Sequence, residues 1–118
     1  MNLLDQDILV LKKNVRGEKG SFIYFLHERN RFDEKSYREY FNSVINIVNK
    51  REPLDRDIST MLVKSYSYIL RSFIFHLSPN DLSEIDKYPQ ESSSDYIENL
   101  NIVIESYFRG TKVDRRIF

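Results

Sequence analysis

The sequence predicts an all-α fold, a single-domain bundle of about five to six helices over residues 1–118. Three observations carry this. Apolar residues recur at i, i+3 and i+4 along several long stretches, the period of one helix face. Gly and Pro occur only three times each in 118 residues, too few for the dense turns of a β-sandwich. Residues that suit helix caps stand before these stretches, and Gly, Asn or Pro stands after them. The length fits one domain with a core of its own, and the chain shows no internal repeat and no domain boundary.

The first helix is expected over residues 4–15, with Leu4, Ile8, Leu11 and Val15 on one face. Asp5 and Asp7 suit its start, and Lys12 and Lys13 its end, because they complement the helix dipole. Gly17 and Gly20 bracket a loop. Ser21 is placed to cap a second helix, Phe22 to Arg29, which is apolar on several faces and so expected near the centre of the domain. Asn30 and Arg31 end it. Asp33 then caps a third helix running to about Arg51, with Tyr37, Tyr40, Phe41, Val44, Ile45 and Val48 inward and Ser43 and Asn46 on the other side. Pro53 stops it, since the residue before a proline avoids the α region.

Asp55 or Asp57 caps the fourth and longest helix, with Leu54 placed as a hydrophobic staple. Its stripe is Ile58, Met61, Leu62, Ser65, Tyr66, Ile69, Phe73 and Leu77. Val63, Leu70 and Ile74 widen it, which predicts neighbours on two sides. Ser78-Pro79 then suits a restart, with Pro79 as a first helical residue. A short helix with Leu82 and Ile85 inward is expected to end near Lys87. Tyr88 to Ser94 is the longest polar loop. The last helix is expected from about Asp95 to Arg109, with Tyr96, Leu100, Val103, Ile104 and Tyr107 inward and Gly110 as its left-handed stop. Residues 111–118 form a basic tail tipped by Ile117 and Phe118.

Cysteine is absent, which excludes disulfides, thiolate nucleophiles and zinc-finger or iron–sulfur ligation by this chain. Residues 1–13 do not have the pattern of a signal peptide, because Asp5 and Asp7 interrupt it. No apolar run approaches the ~20 residues that cross a bilayer. A cytoplasmic protein with no membrane contact is expected.

No catalytic set emerges. His27 and His76 are 49 positions apart in aromatic-rich segments. They are a conceivable acid–base pair, but the expected role of each is a hydrogen-bonded, half-buried ring. Glu-x-x-His is missing, and His27 and Glu28, adjacent in sequence, diverge on a helix, so neither a metal nor a cofactor is expected. Asp33, Glu34, Asp55 and Asp57 are explained by helix starts, and Ser92 to Ser94 by a loop and cap. The chain is not expected to be an enzyme.

Charge is the informative feature. Lys plus Arg is 18 and Asp plus Glu is 18, so the net charge is zero. That sum divides into +3 over residues 1–51, −5 over 52–110 and +2 over 111–118. Within residues 81–98, Asp81, Glu84, Asp86, Glu91, Asp95 and Glu98 are opposed only by Lys87. Such a stretch is either a solvated face or a docking patch that steers a basic protein partner, with Tyr88 as its rigid anchor. An alternative is a small helical nucleic-acid-binding regulator using the N-terminal basic cluster Lys12, Lys13, Arg16 and Lys19, with Arg29, Arg31, Lys35 and Arg38 behind it. Glu18, Glu28, Asp33, Glu34 and Glu39 are interleaved with that cluster, which weakens it as a phosphate-tracking groove. Nucleic acid is the less favoured partner.

The segments GEKGSFIYFL (17–26), NRFDEKSYREYFNSV (30–44), YILRSFIFHLSPNDLSEI (68–85) and YIENLNIVIESYFRG (96–110) span most of the chain. On them it resembles the small helical immunity proteins of bacterial polymorphic-toxin systems, in particular contact-dependent growth inhibition. The resemblance implies a cytoplasmic antitoxin that binds a cognate toxin domain, often a nuclease, and blocks its active or substrate-binding surface. It transfers no interface residues. A basic nuclease as partner agrees with the acidic stretch, since carboxylates can stand in for the phosphates that such an enzyme expects.

Overall fold

The computed structural model describes residues 3–50, 53–78 and 84–118. Five α-helices follow one another: α1 (Leu3–Arg16), α2 (Phe22–Glu28), α3 (Glu34–Asn49), α4 (Arg56–Leu77) and α5 (Ser93–Arg109). A 3-10 turn, Arg115–Ile117, lies near the end of the chain. The fold is all-α.

The caps explain where these helices begin. The Ser21 hydroxyl accepts the Tyr24 N–H at 3.2 Å, Asp33 accepts the Ser36 N–H at 3.0 Å and Asp55 accepts the Ile58 N–H at 2.9 Å. Each satisfies a donor that the first helical turn leaves without a partner. Burial alone would push the Asp33 carboxyl up, yet the Ser36 hydrogen bonds, with Arg31 and Lys35 nearby, bring it below the ordinary carboxylate range. Gly110 ends α5 at a φ of 72°, and the Thr111 N–H returns to the Ser106 carbonyl at 3.0 Å.

The four long helices enclose the core in the cyclic order α1, α3, α5, α4, each packing on the next. Across the centre, α3 and α4 meet through the Tyr40 hydroxyl and Ser65 Oγ, 2.6 Å apart and fully buried. Helix α2 packs on α1, α3 and α4. It brings Phe22 against Phe32 and Tyr37, with ring centroids at 5.1 and 5.2 Å. Phe73 of α4 and Tyr96 of α5 complete this aromatic cluster around Phe32. Buried Asn14 ties α1 to α2, accepting the Ile23 N–H at 3.1 Å while donating to the Val10 carbonyl at 3.0 Å.

Four expectations are corrected. The short helix ending near Lys87 is not formed by its described residues, Glu84 to Lys87. Their backbone groups are engaged elsewhere: Ile85 N–H donates to His76 Nδ1, Asp86 N–H donates to the Asn30 carbonyl, and the Asp86 carbonyl accepts the Phe32 N–H. The last two bonds make a parallel bridge between Arg31 and Asp86, and Lys87 follows in the left-handed region at a φ of 59°. Ser43 is buried rather than outward, because α1 covers that side of α3. Val63, Ile74 and Leu77 do not pack inward but stand at the surface, since the helices packed on α4, which are α1, α2 and α5, leave an apolar strip uncovered. His27, expected to be half-buried, is exposed on α2. Pro79, Asp81, Leu82 and Arg51, and the side chains of Leu4 and Asp5, lie outside the described residues.

The basic tail folds back on α3. Asn49 accepts the Val113 N–H at 2.7 Å and donates to the Val113 carbonyl at 3.0 Å. Arg115 bonds Asn42 and Asn46, and Phe118 meets Phe41 edge-on at 5.1 Å. Asn49→Ala removes both bonds to Val113, whose side chain is buried. The expected loss is about 1–3 kcal/mol, with much faster hydrogen exchange at the Val113 amide. Unchanged exchange there would mean that Arg115 and Phe118 hold the tail without Asn49.

Candidate protein-docking surface

The surface is built around the last turns of α4. Phe73 points into the aromatic cluster, while His76 turns its ring to the chain that returns toward α5. His76 Nδ1 accepts the Ile85 N–H at 2.9 Å, and its ring lies on Tyr88 with centroids 4.0 Å apart. Tyr88 also meets Phe73 edge-on at 5.2 Å. Segment 84–88 is therefore fastened to the end of α4 by the Ile85 backbone N–H and the Tyr88 ring, and to the loop between α2 and α3 by the Asp86 backbone.

That fastening orients the flanking side chains. Glu84, Asp86 and Glu91 are exposed. Ile74, Phe75 and Leu77, which surround His76 in sequence, are 54%, 50% and 55% exposed. Isolated exposed apolar residues need no explanation, but several together beside charged groups mark a contact surface.

Asp95 and Glu98 are exposed on α5 and straddle its outer face. Glu98 lies toward α4, where burial first and then the Glu98 charge push the Tyr66 phenol above its ordinary value. Asp95 lies toward α3, on a cleft of about 410 Å³ walled by Tyr37, Phe41, Tyr96 and Phe118. There Glu34 and Arg38 pair at 2.6 Å. Of the acidic residues singled out by sequence, Glu84 and Asp86 lie on the segment fastened to the end of α4, Glu91 is exposed in the turn before α5, and Asp95 and Glu98 lie on α5 itself. Tyr88 is half-buried between Phe73 and His76, so it supports the surface more than it projects from it. Asp81 lies outside the described residues. The exposed apolar strip of α4 was not anticipated from sequence; periodicity marks a residue as apolar, and only the packing shows that nothing covers it.

The histidines are not brought together. His27 faces Tyr68 at 6.2 Å, and eight residues of α4, roughly 12 Å at the helical rise, separate Tyr68 from His76. Among the described residues, no group of three or more His, Asp or Glu side chains is placed to hold a metal ion. The N-terminal basic cluster does not form one groove. Lys13 and Lys19 line a hollow shared with Glu39, whereas Arg16 opens on a different cleft. Among the described residues, no helix is long and apolar enough to cross a membrane.

No protein-family model matches the chain, and no solved structure matches it. Among curated proteins, 106 residues are 30% identical to the acetyl-coenzyme A carboxylase carboxyl transferase subunit beta, chloroplastic, of Brassica napus. The match covers 88% of this chain and 20% of that protein, so the chain spans about a fifth of the relative's length.

Proposed function

We propose that the protein is an immunity protein, a cytoplasmic antitoxin that binds the basic surface of a cognate toxin domain and occludes its active or substrate-binding site. The observation that carries this reading is the end of α4, where Ile74, Phe75 and Leu77 are half-exposed and where the segment fastened to His76 carries the exposed carboxylates Glu84 and Asp86. Apolar surface supplies affinity when it leaves water, and an acidic rim steers a basic partner and discriminates against others. A nuclease fits as the partner because its substrate-binding surface is built to receive negative charge. The protein acts by occupying that surface, without chemistry, metal or cofactor of its own.

The experiment is co-expression with the toxin domain encoded beside this protein's gene. Cells producing the toxin alone should stop growing, cells producing both should survive, and the two proteins should co-elute on gel filtration. Growth arrest without rescue would end this reading. Glu84→Lys with Glu91→Lys should leave the protein folded and slow association by about 10-fold or more at low salt. Dissociation should change little, and the difference should shrink as salt is added. An association rate equal to that of the unaltered protein would remove the acidic rim from the interface.

A further inference from the structure

Cations from distant parts of the sequence converge between α1, α2 and α4. Arg16 ends α1, Lys64 and Arg71 lie two turns apart on α4, and His27 reaches in from α2. They line a half-open cleft of about 230 Å³ with an apolar floor, Val15 and Ile23. Tyr68 forms a wall, its ring edge-on to His27.

Among the described residues, Arg16, Lys64 and Arg71 have no carboxylate at ion-pair distance. Glu28 faces the Tyr68 phenol but pairs with His27 at 3.7 Å. Arg71 Nε reaches the Ser67 carbonyl at 3.4 Å, which leaves its two Nη groups for a ligand. Arg16 has a structural role, since a cation suits the end of α1, but Lys64 and Arg71 stand in mid-helix and have none. Three permanent charges of one sign around a hollow repel one another and focus a positive field into it.

We propose that this cleft binds the phosphate monoester group of a small molecule. Two guanidinium forks and an ammonium supply the converging donors that a near-dianionic tetrahedral group accepts. The volume is below the ~300–1,000 Å³ of sites that enclose drug-sized ligands, so the cleft holds the phosphate and a few further atoms. The apolar floor and Tyr68 meet the carbon part. A phosphodiester within a nucleic acid fits less well, because it carries a single charge and must leave the cleft in two directions.

Arg71 lies one turn before Ile74 and Phe75 on α4, but the test of the cleft does not depend on a toxin. Amide chemical shifts of the protein are followed by NMR during titration with inorganic phosphate, glycerol 3-phosphate and a single-stranded oligonucleotide lacking a terminal phosphate. Chloride keeps ionic strength constant. Saturable shifts at Gly17, Ser65 and Arg71 are expected with both phosphates. Lys64→Gln with Arg71→Gln changes exposed residues, so it should keep the fold and weaken binding by about tenfold or more. The proposal is overturned if neither phosphate saturates, if the double variant binds equally well, or if the oligonucleotide saturates at lower concentration than glycerol 3-phosphate. That last result would make the cleft a nucleic-acid site.

Discussion

Replacing Phe22 by alanine is expected to destabilise the protein by about 3–5 kcal/mol, a large part of the stability of a domain this size. Phe22 is fully buried and meets both Phe32 and Tyr37 edge-on, and those rings reach Phe73 and Tyr96. One truncation therefore opens a cavity where α2, α3, α4 and α5 converge. Helix α2 has only seven residues, too few to persist without tertiary packing. Urea denaturation measures the loss directly, and the thermal midpoint should fall by roughly 10–20 °C. Phe25→Ala is the control, because Phe25 is half-buried and its aromatic partner is Tyr24; its cost should be well under half as large. Equal costs would mean that the cluster around Phe32 does not concentrate stability as its geometry implies.

Alkaline pH should unfold the protein steeply. Burial pushes the phenol of Tyr40 up despite its hydrogen bond with Ser65, and burial pushes Tyr37 up further, aided by Tyr40 and Tyr96. In the unfolded chain both ionise near the ordinary value of 10.0. Above that pH the unfolded chain has lost protons that the folded chain keeps, so stability is intact below pH 10 and falls as pH rises. Each phenol contributes a slope of about 1.4 kcal/mol per pH unit. Together they remove about 5 kcal/mol over two pH units, enough to unfold a marginal domain. Urea midpoints measured from about pH 9 to about pH 12 should show this. Tyr37→Phe should make the fall with pH clearly shallower at little cost at neutral pH, because among the described residues the buried Tyr37 hydroxyl has no hydrogen-bond partner. A slope unchanged by that substitution would assign the effect to other groups.

Much of the architecture was legible because its signals are local. Ser21, Asp33 and Asp55 cap through their own side chains within three residues, and the inward stripes of α3 and α5 repeat at the helical period. What escaped is set by long-range partners. Ser43 looks like an outward position until α1 is placed over it. Val63 and Ile74 have the pattern of a second buried face and Leu77 continues the main stripe, yet no helix arrives to cover them. Segment 84–87 has helix-compatible residues, but Asn30, Phe32 and His76 take its backbone bonds. The same limit applies to the sites. The acidic run is continuous in sequence and was visible, whereas the cleft with Arg16, Lys64 and Arg71 joins residues more than fifty positions apart.

The bridge between Arg31 and Asp86 has a consequence for when the end of α4 acquires its surface. Its partners are 55 positions apart, so closing that loop costs chain entropy that only a largely assembled core repays. The bridge should form late in folding, after α1 to α4 have found one another. Until then Glu84 and Asp86 belong to a loose chain, and their charges are not held at the end of α4. The surface is thereby coupled to completion: a nascent or damaged molecule carries its residues without its shape.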